Sequence, residues 1–161
     1  MAIIVEDGTI VANSNSYVTE LELTDYATDR GLTLTVATDV LLLKANDYLE
    51  TLTFKGSRYT KDQSLQWPRD GVYIDGFSVA VDEIPNDLKT AQLALAVEID
   101  AGNDPLAPVE RATKKEKVDV IEVEYMDGTR DSTYAPSYQR YLNKLVIGSN
   151  SGLGVVGLVR A

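Results

Sequence analysis

The side chains that most enzymes use for chemistry are missing from this sequence. It contains neither cysteine nor histidine, which excludes thiolate catalysis, cysteine-ligated metal sites and a serine–histidine–aspartate triad. The acidic residues beside glycine, as at Asp7-Gly8 and Asp127-Gly128, have the spacing of turns and not of a calcium-binding loop. We therefore expect a protein that is not an enzyme and that binds no metal.

The letters of a dinucleotide-binding loop occur once, from Gly152 to Gly157. Such a loop follows a strand and opens a helix, and the chain leaves no room for a helix after Gly157. We therefore expect no cofactor.

Trp67, Pro68 and Arg69 lie at the centre of an irregular stretch, residues 53–83. Long stretches without regular structure are uncommon in compact domains and are often functional. Trp67 either anchors this loop on the core, as large aromatic side chains do, or stacks against a base or a partner side chain. We take the three residues as the loop anchor.

A modest group of basic residues precedes a predicted strand: Arg111, Lys114, Lys115 and Lys117. Because Glu110 and Glu116 lie among them, the group is either a solvated or subunit-facing patch or a contact for phosphate.

The final segment, residues 148–161, is rich in glycine and apolar residues, whereas disordered tails are normally polar. We expect an extended arm that binds another chain, with packing on its own domain as the alternative. The candidate contact residues are Leu153, Val155, Val156, Leu158, Val159 and Arg160.

The net charge of the chain is −10 at pH 7. An acidic protein binds a polyanion less readily, although a local basic patch remains compatible with this charge. No apolar run approaches the ~20 residues that span a bilayer, and the acidic N-terminus lacks the features of a secretory signal. We expect no membrane contact.

Four helices follow from periodicity and from start and stop signals. Thr19 and Glu22 form a capping box at the start of the first, which ends near Gly31. The second covers residues 36–52, with Thr35 or Thr38 as its cap, and the third begins at Pro85. A short fourth helix follows residue 136.

Two β elements accompany the helices. Short apolar runs on both sides of Asp7-Gly8 predict an N-terminal β-hairpin. Alternation over residues 117–125, with a phase slip at Val120-Ile121 that suggests a bulge, predicts a strand or hairpin near 117–134. The expected fold is mainly α with small β elements: a compact helical bundle in one domain, 1–147, followed by the arm, 148–161.

Several motifs together resemble a family of bacteriophage head-to-tail connectors, over roughly residues 3–145. They are Ile4-Val5-Glu6-Asp7-Gly8-Thr9, Gln66-Trp67-Pro68-Arg69, Asp82-Glu83-Ile84-Pro85 and Lys115-Glu116-Lys117-Val118. Members of this family are often labelled DnaT-like single-stranded-DNA-binding proteins.

The resemblance implies an adaptor in the neck of the virion, assembled in the host cytoplasm. Such an adaptor forms a ring, typically of twelve subunits, that binds the portal protein and docks a stopper or tail protein. Genomic DNA passes through its lumen without specific binding. The alternative is a DnaT-like single-stranded-DNA-binding replication accessory protein. The acidic charge, one tryptophan and two phenylalanines favour the adaptor, because single-strand binders need basic grooves with exposed aromatic rings.

Overall fold

The computed structural model describes residues 2–107, 115–118, 121–124 and 136–148. Within these ranges, helices and short antiparallel strand pairs confirm the predicted fold class, mainly α with small β elements. The elements are α1 (Glu20–Thr28), α2 (Thr38–Glu50), β1 (Ser57–Arg58), β2 (Arg69–Asp70), β3 (Tyr73–Ile74), β4 (Phe77–Ser78), α3 (Asn86–Asp100), β5 (Lys115–Val118), β6 (Ile121–Glu124) and α4 (Gln139–Leu142).

The centre of the core lies between α2 and α3. Leu41, Ala45 and Leu49 form one stripe of α2 at helical spacing, and all three are fully buried against α3 residues such as Leu88 and Leu95. α1 packs against both helices and α4 packs against α3. None of the helices in the described ranges is long and apolar enough to cross a bilayer.

The helix starts match the sequence prediction at α1 but not at α2. The Thr19 hydroxyl accepts from Glu22 N at 3.1 Å, and the Glu22 carboxylate accepts from Thr19 N at 2.6 Å, so the predicted capping box is confirmed. α2 begins after Ala37 without a side-chain cap. The Thr35 hydroxyl donates to the Asp100 carboxylate of α3 at 3.0 Å instead, so that contact replaces the predicted cap.

The N-terminal β-hairpin is not formed, and that part of the prediction is wrong. A single parallel bridge joins Val5 to Ser16. The reason is the buried carboxylate of Glu6, which accepts from the backbone N–H groups of Gly8, Ile10 and Val11 at 2.9–3.0 Å. These donors are then no longer available to a hairpin ladder.

The predicted strand over residues 117–125 is two shorter antiparallel strands, β5 and β6. Lys115 pairs with Glu124 and Val118 pairs with Ile121. Val120 lies outside the described residues, so the bulge suggested at Val120-Ile121 stays a prediction. Residues 125–135 of the predicted hairpin region lie outside the described residues.

The 53–83 loop contains two small strand pairs, β1 with β2 and β3 with β4. Trp67 is fully buried and meets the ring of Phe54 edge-on at 6.0 Å between centroids. Arg69 is also buried, and it donates to the carbonyl oxygens of Lys55 at 2.7 Å and Gly56 at 2.8 Å. These contacts fix the loop on the body of the domain.

Candidate nucleic-acid interface

A groove of about 420 Å³ opens on the surface where α1, α3 and α4 meet. Tyr26 and Arg30 line it from the end of α1, and Arg140 and Tyr141 line it from α4. Glu98 of α3 lies between these two pairs in sequence and also lines the groove. We call this surface, defined by these five residues, the Arg–Tyr groove.

Arg30 is held flat against a tyrosine ring. Its guanidinium carbon lies 3.4 Å from the centroid of the Tyr26 ring, and its Nη1 donates to the Tyr26 carbonyl oxygen at 3.0 Å. Arg30 is exposed and Tyr26 is half-buried. The pair therefore presents a positioned planar cation at the rim of the groove.

The end of α1 fixes the position of Arg30. Leu32 N donates to Ala27 O at 3.0 Å and Gly31 N donates to Thr28 O at 2.9 Å, which is the Schellman pattern. Gly31 has φ 66°, a left-handed conformation that glycine adopts without steric cost. This turn places Arg30 and Leu32 on the two sides of one glycine.

α4 has four residues and is too short to be stable alone, so its packing positions it. Tyr138 and Leu142 are buried, and the Tyr138 ring meets Tyr48 of α2 edge-on at 5.7 Å. Burial raises the pKa of Tyr138, so its phenol is neutral. With these residues anchored, Arg140 is left exposed, 5.7 Å from the centroid of the Tyr141 ring.

The charges of the groove are unevenly arranged. Glu98 accepts from Ser137 Oγ at 3.3 Å and from Asn103 Nδ2 at 3.1 Å, so its carboxylate is held in place. Burial raises the pKa of Tyr26, which keeps this phenol neutral at physiological pH. Two arginines therefore outweigh the one carboxylate, and the groove is locally cationic although the chain carries −10.

A second surface with exposed aromatic rings lies on the β3–β4 pair. Tyr73 is 63% exposed and Phe77 is 79% exposed. The nearby Lys144 ammonium lies 2.8 Å from the Asp75 carboxylate and 3.9 Å from that of Asp87. Because two carboxylates already neutralise this cation, the surface is less suited to a phosphate than the Arg–Tyr groove.

The residues that the sequence singled out do not form this groove. Trp67, Pro68 and Arg69 are buried, so no base can stack on Trp67 in this fold. Lys115 and Lys117 belong to β5. The other predicted contact residues lie outside the described residues: Arg111, Lys114, Leu153, Val155, Val156, Leu158, Val159 and Arg160. That the arm binds another chain stays a prediction.

The sequence did not single out the residues of this groove. Two signals in the sequence mark them: Tyr26 and Arg30 are four residues apart on one helix face, and Arg140 directly precedes Tyr141. Counting only tryptophan and phenylalanine also overlooked nine tyrosines, whose rings stack equally well on bases.

The described residues contain no candidate metal site. Across the described ranges, no three carboxylates come together in a group that could hold a metal ion. The chemistry available in the groove is therefore stacking, hydrogen bonding and ion pairing.

The fold and the groove define a small, mainly helical domain with a groove lined by arginine and tyrosine. The whole chain, residues 1–161, matches the model of a family described as "Putative DnaT-like ssDNA binding protein". The chain belongs to this family. No curated protein and no solved structure matches it.

The interpretation as a head-to-tail adaptor is wrong, because the full-length match is to the single-stranded-DNA-binding family. The family match gives no support to the roles that the adaptor implied: a virion protein, a portal-binding protein and a twelve-subunit ring. The adaptor was favoured partly on net charge. Net charge sums over the whole surface, whereas one groove is lined by two arginines and a single glutamate.

Proposed function

We propose that this protein binds single-stranded DNA and that the Arg–Tyr groove is the binding surface. The observation that carries the proposal is the placement of two tyrosine rings and two guanidinium groups around one concave surface. The family description supports the same ligand. Proteins that bind single strands combine cations that follow the backbone with rings on which bases stack.

Stacking supplies the attraction to the bases. Tyr141 offers one ring, and Tyr26 with Arg30 offers a second flat surface. A base stacked on an aromatic side chain contributes ~1–3 kcal/mol, with little dependence on its identity. In a duplex the faces of the bases are covered by their neighbours, so this surface favours a single strand.

The charges orient the strand in the groove. Arg30 and Arg140 are both exposed, which places the phosphates at the rim. Glu98 repels a phosphate from the interior of the groove. The backbone therefore runs along the arginines while the bases point inward.

Salt dependence follows from the number of phosphates that the groove neutralises. For single strands, the slope of log K against log salt is about −0.7 per neutralised phosphate. Arg30 and Arg140 then give a slope of about −1.4. The low slope distinguishes this site from an extended basic surface.

The test compares the affinities of two charge-matched double variants for a fluorescently labelled oligonucleotide and for its duplex, measured by anisotropy. Arg30→Ala with Arg140→Ala removes both cations of the groove. Lys44→Ala with Lys61→Ala removes the same charge from exposed sites outside it. We expect the first to weaken single-strand binding at least about tenfold, since charge-assisted hydrogen bonds contribute ~1.5–3 kcal/mol each before solvent screening.

The control double variant should change the affinity less than about twofold, because long-range effects of exposed charges are screened. An equal loss of affinity in both double variants would show that the groove is not the binding surface. Failure of the wild-type protein to bind the single strand would contradict the proposed function itself. Circular dichroism of each variant verifies that the fold is retained.

A further inference from the structure

A second groove, of about 400 Å³, adjoins the Arg–Tyr groove. It lies between α1 and the segment that leads to α2, and Leu32 lines both grooves. Its walls include Thr24 and Thr28 from α1, and Leu34 and Val36 from the connecting segment. We call it the threonine groove.

Three of the four threonines in the wall of this groove use their hydroxyl groups as donors within the protein. Thr24 Oγ1 donates to Glu20 O at 2.9 Å, and Thr28 Oγ1 donates to Thr24 O at 2.8 Å. The Thr38 hydroxyl, also in the wall, donates to the Glu20 carboxylate. With these three donors used internally, the threonine methyls and the neighbouring aliphatic side chains make the groove a mainly apolar surface, to which Thr33 adds one further hydroxyl.

Leu32 forms the ridge between the two grooves. Its side chain is 44% exposed, and its backbone N–H is fixed by the bond to Ala27 O at 3.0 Å. Apolar side chains at such positions act as wedges between successive bases. A strand whose phosphate lies on Arg30 therefore meets Leu32 at its next step, because only Gly31 separates these two residues.

We propose that the threonine groove binds the adjacent base of the strand and selects thymine through its C5 methyl group. The inference rests on the proposed binding of single-stranded DNA. Apolar contacts with threonine and alanine side chains are a recognised way to read the thymine methyl. Continuity with the Arg–Tyr groove across Leu32 makes the strand the occupant.

Deoxyuridine is the natural comparison, because it differs from thymidine only in lacking this methyl group. Burial of one methyl group favours binding by a factor of about four, from ~0.8 kcal/mol per buried carbon. We therefore expect oligo(dT) to bind about fourfold more tightly than oligo(dU) of the same length.

To test whether this groove contacts the thymine methyl group, Thr24 and Thr28 are both changed to serine (Thr24→Ser with Thr28→Ser). This double variant deletes two methyl groups and keeps both hydroxyls for their hydrogen bonds to the backbone. Its matched control is Thr51→Ser with Thr53→Ser, the same chemical change at exposed threonines outside both grooves. Affinities of both proteins for oligo(dT) and oligo(dU) are measured by anisotropy. We expect the dT/dU ratio to fall toward one in the first variant and to stay at about four in the control.

Equal affinities of the wild-type protein for the two oligonucleotides would overturn thymine selection and leave the proposed function standing. A ratio that survives in Thr24→Ser with Thr28→Ser would overturn the assignment to this groove. Binding of neither oligonucleotide would overturn the proposed function and this inference together. Self-association that the same variant weakens, with equal affinities for dT and dU, would assign the groove to a second copy and overturn the proposal.

Discussion

Two regions of the molecule each bring an arginine close to aromatic side chains. One is the 53–83 loop, which contains Arg69, and the other is the turn after α1, which contains Arg30. Arg69 is 7% exposed. Its guanidinium donates to the carbonyl oxygens of Phe54, Lys55, Gly56 and Gln66 and to the Gln66 side chain at 2.7–3.3 Å. Arg30 is exposed, and its described contacts are to Tyr26 alone.

The difference shows what separates a structural arginine from one suited to a ligand. A guanidinium has five N–H donors, and the hydrogen bonds of Arg69 engage its whole fork with acceptors of the loop. Arg30 directs one donor to a backbone carbonyl and lays its plane on a ring. Within the described residues its guanidinium has no acceptor outside Tyr26, so a phosphate can replace solvent at this exposed group.

The comparison is tested most strongly by substituting leucine at both positions. Arg69→Leu leaves buried carbonyl oxygens without donors, and we expect a loss of about 3 kcal/mol in the free energy of unfolding. Arg30→Leu removes an exposed cation–π contact, worth ~0.5–1 kcal/mol, and one exposed hydrogen bond to the Tyr26 carbonyl oxygen. Urea denaturation measures both. Similar losses from the two variants would show that the groove arginine is also structural.

Gly31→Ala tests whether the turn after α1 positions the groove. No atom lies within 4 Å of a Cβ built at Gly31, so the cost arises from its left-handed φ alone. We expect a loss of ~1–2 kcal/mol in thermal or urea unfolding, together with weaker binding of single-stranded DNA. Gly31→Asn serves as the control, because asparagine tolerates this conformation and should lose less of both. Full affinity in Gly31→Ala would mean that Arg30 does not depend on this turn.

The smallest expected effect is a dependence of stability on pH. It arises from Glu50, which contacts the 53–83 loop and lies outside the groove. Burial raises the pKa of Glu50, which accepts from Tyr17 Oη at 3.1 Å and from Gln66 N at 2.9 Å. The folded protein therefore holds this proton more tightly than the unfolded chain. Stability contributed by protonated Glu50 is present below the unfolded pKa and declines as pH rises through the raised folded pKa.

Glu50→Gln removes this titration and keeps an oxygen acceptor. We expect the stability of the wild-type protein, relative to Glu50→Gln, to decrease as the pH is raised from mildly acidic values to neutrality. Denaturation curves of the two proteins across this range provide the measurement. A difference that stays constant with pH would show that Glu50 titrates normally in the fold.

The helices were predictable because their signals are local. The Thr19–Glu22 capping box and the stripe of Leu41, Ala45 and Leu49 act within a few residues, so α1 and α2 appear close to their expected positions. The N-terminal hairpin was not predictable, because Glu6 takes up the backbone donors that a hairpin needs. No local pattern distinguishes a buried glutamate of this kind from a turn residue.

The family was harder to predict for a related reason. Composition gave a net charge of −10 and few phenylalanines, and both weighed against DNA. These averages carry no information on which side chains share a surface. The tyrosines that line the groove are half-buried at the edge of the helix packing, a position that composition does not reveal.

By itself, the sequence determined the mainly helical class, the helix capped by Thr19 and the absence of histidine and cysteine chemistry. Only the tertiary structure decided that Arg69 lies inside and that Tyr26 and Arg30 share a groove with Arg140 and Tyr141. The physical reason is that capping and periodicity act within one element, whereas these side chains belong to elements far apart in the chain. They meet because α1 and α4 both pack against α3.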